Sequence, residues 1–470
     1  MSPEEFRRFG HRVIDWIADY RAGVAHRPVL SRAAPGELLA ALPPSPPRAP
    51  RGFDAVLQDL DERILPALSH WQHPRFFAYF PSNGDLASVL GDFLSTGLGV
   101  LGLAWQSAPA LTEVEDRAVD WLRQMLGLPA AFQGVIQDTA STATLVALLC
   151  ARERTSAHGS ARSDLQGGEP PLVVYTSQHA HSSVDKAALL AGFGRAFVRK
   201  VATDAEHALD PVALRTAVAA DLAQGLRPCA IVATSGTTTT TAMDPIDACA
   251  AIARTHGLWL HVDAAMAGSA MILPECRELW RGVEHADSLV VNPHKWLGVA
   301  FDCSVQFVRD PEHLVRVMST NPSYLRTAVD DRVKNYRDWG IALGRRFRAL
   351  KLWSLITTHG TDRLQARLRR DLGNARWLAD RVGETAGWRV LAPVRLQTVC
   401  VRHAPAGLAG EALDRHTLGW LERLHATGRA WLTAAQLDGR WMVRVSVGAL
   451  ATERRHVEEL WADMQAAAGT

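Results

Sequence analysis

The sequence has few cysteines, almost no net charge and no long apolar run. The six cysteines among 470 residues lie far apart without a C-x-x-C motif, which excludes a zinc knot and a disulfide framework and favours a reducing compartment. The formal net charge of +2 is too small to hold nucleic acid or an anionic membrane. No segment reaches 18 uninterrupted apolar residues, and the acidic residues 1–6 are unlike a secretion signal. These absences predict a cytoplasmic globular protein.

The first 50 residues predict a helix followed by a proline-rich linker. Ser2, Pro3 and Glu5 form the capping-box pattern of a helix start. Six apolar residues then recur at helical spacing and form a stripe that needs a covering surface: Phe6, Phe9, Val13, Ile14, Ile17 and Tyr20. Prolines in residues 42–50 end the helical pattern. The stripe is equally compatible with packing on its own domain and with packing on a second subunit.

From about residue 110 the pattern is that of an α/β protein. Thr112 and Glu115 form a second capping box, which predicts a helix start at Thr112. Four apolar runs without alternation predict strands buried on both faces of a mostly parallel sheet: residues 172–175, 230–233, 258–262 and 288–291. Ligands of such sheets bind beyond the carboxyl ends of the strands. After about residue 360, a basic helical stretch and two further strands predict a smaller C-terminal α/β domain.

Two charged residues follow predicted buried strands. Lys295 comes shortly after the strand 288–291, beside aromatic and proline residues. Desolvation there lowers the pKa of an amine and favours the free base that Schiff-base formation requires. Asp263 ends another predicted strand, and a buried carboxylate needs a cationic partner such as the protonated ring nitrogen of pyridoxal phosphate (PLP). Each residue alone is more often structural, but the pair predicts half of a cofactor site.

Two further segments fit the same cofactor. Residues 134–144 are small and hydroxylated and precede an apolar helical run, so their backbone N–H groups can bind a phosphate, with ordinary capping by Ser141 or Thr142 as the alternative. His179 and His181 lie two residues apart, but no third ligand stands at a recognisable spacing, and no metal is predicted. One imidazole stacked on the cofactor ring is the better interpretation. The sequence favours His181 without separating it from His179.

These segments together resemble the group II PLP-dependent amino-acid decarboxylases and, more narrowly, the aromatic-L-amino-acid decarboxylases. The resemblance rests on residues 292–297 around Lys295, 261–265 around Asp263 and 180–184 around His181. It continues through residues 76–81, 99–105 and 343–348 and covers nearly the whole chain. Bacterial L-DOPA decarboxylases are the members it is most similar to, in length and in residues 271–276.

The resemblance implies an α/β fold of the PLP-dependent transferase type I, which is aspartate aminotransferase-like. A mostly parallel central sheet would be flanked by helices, with a small C-terminal α/β domain. Residues 1–80 would form an N-terminal helical arm and linker that embraces the second subunit of a homodimer. Residues 81–360 would form the large PLP-binding domain, and residues 361–470 the small domain.

The resemblance also implies roles for individual residues. Lys295 would form the internal aldimine with PLP, Asp263 would pair with the ring nitrogen, His181 would stack on the ring, and Tyr324 would protonate the quinonoid from a mobile loop. Six residues would hold the phosphate and the edges of the cofactor: Ala140, Ser141, Ser82, Thr238, Asn292 and His294. Thr238 is one of five consecutive threonines, so its assignment is the least specific. Five residues would line the substrate side-chain pocket: Tyr79, Phe80, Leu101, Leu103 and Gly344.

The implied reaction is decarboxylation of an aromatic L-amino acid to the arylalkylamine and CO₂, with L-DOPA to dopamine favoured by overall similarity. 5-Hydroxytryptophan, tryptophan and tyrosine are alternatives, because Leu103 and Met266 depart from the family's pocket pattern and Gly344 leaves room for an indole. An aromatic acetaldehyde synthase or an aminotransferase would share the PLP residues. Tyr324 and His181 favour a decarboxylase. A non-catalytic dimer is the remaining alternative, and it gives no reason to keep these residues together.

Overall fold

The structure is a computed structural model that describes residues 1–159, 170–320 and 329–469. The chain forms two compact units. The first comprises Met1–Pro81, Asp380–Arg389 and Val401–Thr470, and the second comprises Ser82–Ala379 and Val390–Cys400. Within the described ranges, no helix combines the length and the apolar composition that crossing a membrane requires.

Seven strands form the sheet of the second unit: β1 (Gln133–Gln137), β2 (Leu172–Ser177), β3 (Val198–Val201), β4 (Arg227–Thr234), β5 (Trp259–Asp263), β6 (Ser288–Val291) and β7 (Ser304–Val308). Their order is β1-β7-β6-β5-β4-β2-β3. Parallel pairing joins the neighbouring strands β3, β2, β4, β5 and β6. Strand β7 runs antiparallel to both of its neighbours, β1 and β6. Strands β5, β6 and β7 are buried along their whole length, including the polar residues Ser304 and Gln306 of β7. The predicted mostly parallel sheet is confirmed.

The described residues form the following α-helices: α1 (Pro3–Gly23), α2 (Glu37–Ala41), α3 (Gly52–Asp59), α4 (Leu86–Leu98), α5 (Pro109–Leu126), α6 (Ala140–Thr155), α7 (Ser183–Leu190), α8 (Pro211–Ala223), α9 (Ile246–His256), α10 (Pro311–Met318), α11 (Ala349–Glu384), α12 (Gly410–Ala426) and α13 (Arg454–Gly469). Helix α11 is interrupted at Gly360, whose φ of 66° lies outside the right-handed helical region. Helix α5 ends at Gly127, whose φ of 74° suits a glycine beyond the last turn.

The two predicted helix starts have different outcomes. The capping box at α1 is confirmed: the Ser2 hydroxyl accepts from the Glu5 N–H at 3.2 Å, and the Glu5 carboxylate accepts from the Ser2 N–H at 2.8 Å. The predicted start at Thr112 is wrong, because α5 begins at Pro109 and the Thr112 hydroxyl donates to the Ala108 carbonyl at 3.1 Å. Proline suits a first helical turn, where its missing N–H has no partner to lose.

Four strands form a second, smaller sheet: β8 (Trp388–Val390), β9 (Thr398–His403), β10 (Thr433–Leu437) and β11 (Arg440–Ser446). Their order is β10-β11-β9-β8. Asp438 and Gly439 join β10 to β11 with φ of 51° and 72°, the left-handed pair that a tight hairpin favours. The predicted small C-terminal sheet is confirmed.

Helix α1 packs on the segment 53–70 of its own unit. The Phe9 ring lies 5.2 Å from the Phe53 ring, and the Trp16 indole N–H donates to the Asp61 carboxylate at 2.6 Å. Arg12 pairs with Asp54. Two residues of the predicted apolar stripe nevertheless stay exposed, Phe6 at 54% and Ile14 at 42%. The helix therefore packs on its own unit and still presents apolar surface to solvent.

Candidate active site

The charged residues singled out in the sequence lie at the carboxyl ends of neighbouring parallel strands. Asp263 is the last residue of β5, where it pairs in register with Thr234 of β4 and with Val290 of β6. Lys295 lies in the turn after β6, and His181 lies in the segment between β2 and α7. Because parallel strands end at one edge of a sheet, three separate segments are brought to the same place.

The amine of Lys295 lies in the electrostatic field of Asp263. Burial lowers the pKa of Lys295 below its ordinary value, and the negative charge of Asp263 opposes that shift. The turn that carries Lys295 is held by its backbone: its N–H donates to the Asn292 carbonyl at 2.9 Å, and its carbonyl accepts from the Asn83 side-chain amide at 3.2 Å. Burial therefore favours a neutral, nucleophilic amine at a fixed position.

The second group of the site is the buried side chain of Asp263. Its side chain is buried, with 5% exposed, and one oxygen accepts from the Ala265 N–H at 3.1 Å. A buried carboxylate is stabilised by a cation placed beside it. The site can thus hold a cationic group next to Asp263.

His181 has a defined tautomer. The Ser183 N–H donates to Nδ1 of His181 at 3.1 Å, and the Ser183 hydroxyl lies 2.8 Å from the same nitrogen. Nδ1 is therefore an acceptor, and the ring proton of the neutral form sits on Nε2. Burial lowers the pKa of His181, the Asp263 charge raises it, and the Lys295 charge lowers it. His181 is thus a neutral imidazole in the same field as Lys295 and Asp263.

The structure gives neighbours for each of the two histidines that the sequence left open. The His179 ring lies 5.9 Å from the His207 ring, in an edge-on arrangement. His181 interacts electrostatically with Asp263 and Lys295. Ser183, which orients His181, had no role in the sequence interpretation, although it lies in the segment that carried the resemblance.

The N-terminus of α6 supplies an anion-binding feature at the same sheet. Ala140 and Ser141 are its first two residues, after Thr139 in an extended conformation. Ala140 packs in a buried cluster with Val290 of β6 and with Ala265, two residues after Asp263. The first N–H groups of a helix lack partners within the helix and attract negative charge. The helix start therefore lies beside the strands that carry Asp263 and Lys295.

The five consecutive threonines differ in their surroundings. The Thr237 hydroxyl lies 3.1 Å from that of Thr240 and accepts from the Ala242 N–H at 3.1 Å, and the Thr241 hydroxyl donates to the Thr240 carbonyl at 2.6 Å. These three threonines are buried in a turn that their own hydroxyls stabilise. Thr238 is exposed and keeps its hydroxyl for another partner.

The side chains of Asn292 and His294 accept hydrogen bonds from residues 304 and 303, which follow the turn. The Asn292 side-chain oxygen accepts from the Ser304 hydroxyl at 2.6 Å. Nδ1 of His294 accepts from the Cys303 N–H at 3.0 Å, and burial lowers the pKa of His294 to about 4. Both side chains thus anchor the Lys295 turn to the segment 303–304. Ser82 is partly buried and precedes Asn83, which donates to the Lys295 carbonyl.

Two predicted pocket residues, Leu101 and Gly344, lie next to each other in the second unit. Gly102 and Arg345 form an antiparallel bridge, which aligns the segment of Leu101 and Leu103 with that of Gly344. A Cβ atom placed on Gly344 would lie 3.3 Å from Cδ1 of Leu101. Leu101 and Gly344 therefore form adjacent parts of one wall.

Tyr79 and Phe80 belong to the first unit, where each has an aromatic or cationic neighbour. Tyr79 stacks on Trp71 with ring centroids 5.7 Å apart, and the Arg444 guanidinium lies 4.9 Å from the centroid of the Phe80 ring. Tyr324 lies outside the described residues.

The site combines three groups with separate actions. The amine of lowered pKa can condense with an aldehyde, and the buried carboxylate can hold a ring cation. The helix N-terminus can bind a phosphate. The family description "Pyridoxal-dependent decarboxylase conserved domain" matches residues 35–404. The chain belongs to the pyridoxal-dependent decarboxylase family.

Similar proteins align over almost the full length of this decarboxylase. Phenylacetaldehyde synthase of Arabidopsis thaliana is 39% identical over 99% of this chain and 96% of its own length. Tyrosine decarboxylase of Papaver somniferum is 38% identical over 99% of this chain and 94% of its own. The crystal structure of Oryza sativa TDC with PLP and tryptamine is similar with a TM-score of 0.97 and 37% identity, covering 100% of this chain and 98% of that one. The predicted type I fold is confirmed.

The cofactor of this family member is PLP. The residues present fit that group, because a buried carboxylate, an amine of lowered pKa and a helix N-terminus match its ring nitrogen, its aldehyde and its phosphate in chemistry. His181 adds a flat, uncharged ring beside them.

Proposed function

We propose that this decarboxylase converts an aromatic L-amino acid to its arylalkylamine and CO₂. The observation that carries the proposal is the electrostatic grouping of Lys295, Asp263 and His181 at the strand ends, with burial favouring the neutral forms of the lysine and the histidine. Relatives named for phenylacetaldehyde, for tyrosine and, in a structure, with bound tryptamine support an aromatic side chain.

In this proposal, each residue does one thing toward the cofactor. Bound PLP supplies an electron sink for the pair that departing CO₂ leaves at Cα. Lys295, whose pKa is lowered by burial, would be the amine that attaches the cofactor, and Asp263 would keep a proton on the ring nitrogen. His181, with its Nδ1 occupied by Ser183, covers the ring without adding a charge. The N–H groups at Ala140 and Ser141, with the Thr238 hydroxyl, hold the phosphate.

Other residues fix the position of the amine rather than touch it. Asn292 and His294 bind Ser304 and Cys303 and thereby hold the turn of Lys295. The contact of Asn83 with the Lys295 carbonyl adds a third anchor, next to Ser82 at the cofactor edge. Fixed placement of the amine matters because misplacement of a reacting atom by about 1 Å can cost roughly 100-fold in rate.

For the substrate, we propose L-DOPA first, with tyrosine, tryptophan and 5-hydroxytryptophan as alternatives. The wall made by Leu101 and Gly344 is apolar, which suits the aromatic ring of a catechol. Because Gly344 has no side chain, this wall also leaves space for an indole. Leu103, Tyr79 and Phe80 are further proposed substrate-binding residues, and Tyr324 is the proposed donor of the proton to Cα. An aldehyde synthase is the second candidate, because phenylacetaldehyde synthase is among the relatives at 39% identity.

We also propose that the enzyme acts as a homodimer in the cytoplasm. Five apolar residues at helical spacing stay exposed along α4: Leu86, Leu90, Phe93, Leu94 and Leu98. A contiguous apolar stripe of this kind marks an interaction surface. A second copy of the chain is the proposed partner, and the exposed Phe6 and Ile14 of α1 would add to its interface.

One assay tests the reaction and its substrate. Purified enzyme with PLP is given L-DOPA, 5-hydroxytryptophan, tryptophan and tyrosine, and CO₂, amine, aldehyde and keto acid are measured together. Equal release of CO₂ and amine is expected, with no keto acid. Lys295→Met should lose the imine absorption band and CO₂ release, whereas Lys200→Met, at an exposed lysine, should keep both. Keto acid without CO₂ would instead make the protein an aminotransferase.

A further inference from the structure

The first unit contains a cavity that none of the proposed active-site residues lines. Its volume is about 570 Å³, and its lining includes residues from segments 25–32, 73–75, 427–429 and 455–459. Organic ligands occupy pockets of about 300–1,000 Å³, whereas one water molecule fills about 30 Å³ of liquid. The cavity is large enough for a small metabolite.

Hydrogen bonds to backbone carbonyls fix the walls of this cavity. The Val29 N–H donates to the Gly428 carbonyl at 2.9 Å, and the Thr452 hydroxyl donates to the Pro74 carbonyl at 2.7 Å. The His73 imidazole contacts the Ala25 carbonyl at 3.2 Å. Four segments that are distant in sequence are therefore joined before any ligand binds, which lowers the entropic cost of binding.

The lining is strongly cationic. It contains five arginines, Arg27, Arg32, Arg75, Arg429 and Arg455, and a single carboxylate, that of Glu459. Arg75 pairs with Asp463 and Glu459, Arg429 with Asp463, and Arg455 with Glu453. Within the described residues, Arg27 and Arg32 form no ion pair. Two guanidinium groups at the cavity are thus available for an anion.

Arg75 adds a buried donor without an acceptor. Its side chain is only 7% exposed, and its Nε has no hydrogen-bond partner among the described residues. Leaving a buried charged donor unsatisfied costs free energy that an anionic ligand oxygen would recover. The arginine that is least exposed to water is therefore the one that most needs a ligand.

Two of the three histidines that line the cavity, His73 and His456, have pKa values that neighbouring arginines help to lower. Burial lowers the pKa of His73 to about 4, with Arg75 acting in the same direction. Burial also lowers the pKa of His456, and the Arg455 charge lowers it further. Near pH 7 these two imidazoles are neutral and add no charge to that of the five arginines. His456 accepts the Glu453 N–H at Nδ1 at 3.0 Å and keeps its Nε2–H as a neutral donor.

We propose that this arginine cavity binds a small phosphate-bearing metabolite at a site separate from Lys295. Guanidinium groups form paired hydrogen bonds with phosphate oxygens and remain charged at all physiological pH values. Arg27 and Arg32 provide exposed donors, and Arg75 provides the buried donor. The proposal concerns binding alone and does not depend on which amino acid is decarboxylated.

The experiment is calorimetric titration of the PLP-saturated enzyme with inorganic pyrophosphate at constant ionic strength. Saturation with PLP occupies the Lys295 site, and an unchanged imine absorption band shows that pyrophosphate does not displace the cofactor. Arg32→Gln and Arg27→Gln should each raise the dissociation constant roughly tenfold, the loss of one charged hydrogen bond. Arg415→Gln is the matched control, since Arg415 is an exposed arginine of the same unit that does not line the cavity.

The same titration contains the results that would overturn the proposal. Absence of pyrophosphate binding to the wild-type enzyme, or equal affinity in wild type, Arg27→Gln and Arg32→Gln, would refute it. An equal loss of affinity for pyrophosphate in Arg415→Gln would show that net charge, and not the cavity, determines the binding. Tighter binding of citrate than of pyrophosphate would refute the phosphate assignment. In support, pyrophosphate should raise the thermal unfolding temperature of the wild-type enzyme more than that of Arg32→Gln.

Discussion

Ser183 donates its backbone N–H to Nδ1 of His181 at 3.1 Å, and this contact sets which nitrogen of the imidazole carries the proton. Because the donor is backbone, the tautomer survives loss of the Ser183 hydroxyl. We expect Ser183→Ala to lower kcat by less than about tenfold, since only one neutral hydrogen bond is lost. His181→Ala should cost more, and steady-state kinetics of the two variants provide the comparison. Equal losses would mean that the hydroxyl, not the backbone, orients the ring.

The wall formed by Leu101 and Gly344 gives a prediction about substrate choice. In Gly344→Ser, Cβ would lie 3.3 Å from Cδ1 of Leu101, and the hydroxyl would occupy space next to it. We expect the ratio of kcat/KM for tryptophan to that for tyrosine to fall roughly tenfold. Gly383→Ser is the control, because a Cβ atom there would have no neighbour within 4 Å. An unchanged ratio in Gly344→Ser would remove this wall from the substrate pocket.

Tyr324 gives a prediction about the product. If its hydroxyl delivers the proton to Cα, Tyr324→Phe should convert substrate to aldehyde and hydrogen peroxide in place of amine, because the carbanion then persists long enough to react with oxygen. Amine, aldehyde and peroxide are quantified in one reaction under air. An unchanged amine yield would contradict the role of Tyr324.

The exposed stripe on α4 predicts the oligomeric state. Leu94, 58% exposed, lies in the middle of that stripe, and Leu94→Asp should place a charge in the dimer interface and shift the protein to monomers. Size-exclusion chromatography with light scattering measures the change. Leu222→Asp, at a leucine of α8 that is 47% exposed, should leave the dimer intact. A wild-type protein that is monomeric at micromolar concentration would refute the interface.

His261 predicts how stability depends on pH. Its ring is buried, with Nδ1 2.8 Å from the Ser288 hydroxyl, and burial lowers its pKa to about 4, although the Asp263 charge opposes the shift. Between about pH 6.5 and that value the unfolded chain binds a proton that the folded chain does not. The free energy of unfolding should therefore fall as the pH is lowered through this range, with His261 contributing on the order of 1–3 kcal/mol.

Urea unfolding of the wild type and of His261→Gln at several pH values tests this contribution. The stability advantage of the wild type over His261→Gln should shrink as the pH falls from about 6.5 toward 4, since the variant lacks the titrating group. His285→Gln, at an exposed histidine, should follow the pH dependence of the wild type. An advantage that stays constant over this range would contradict the assignment.

Local sequence patterns predicted four of the seven strands of the larger sheet and one of the two helix starts. The four apolar runs appear as β2, β4, β5 and β6, because strands buried on both faces need apolar residues at every position. Ser2 caps α1 as predicted, since a capping box involves only residues three apart. The error at α5 arose because two start signals compete there, and Pro109 begins the helix ahead of Thr112.

The sequence by itself determined which chemical groups the site contains: an amine after one buried strand, a carboxylate at the end of another, and small residues before a helix. Tertiary structure alone decided that His181 lies in the field of Asp263 and Lys295, and that Thr238 is the exposed residue among the clustered threonines. It also brought Leu101 next to Gly344. The physical reason is that residue type and periodicity are local properties, whereas these contacts depend on strand order and on packing between segments far apart in the chain.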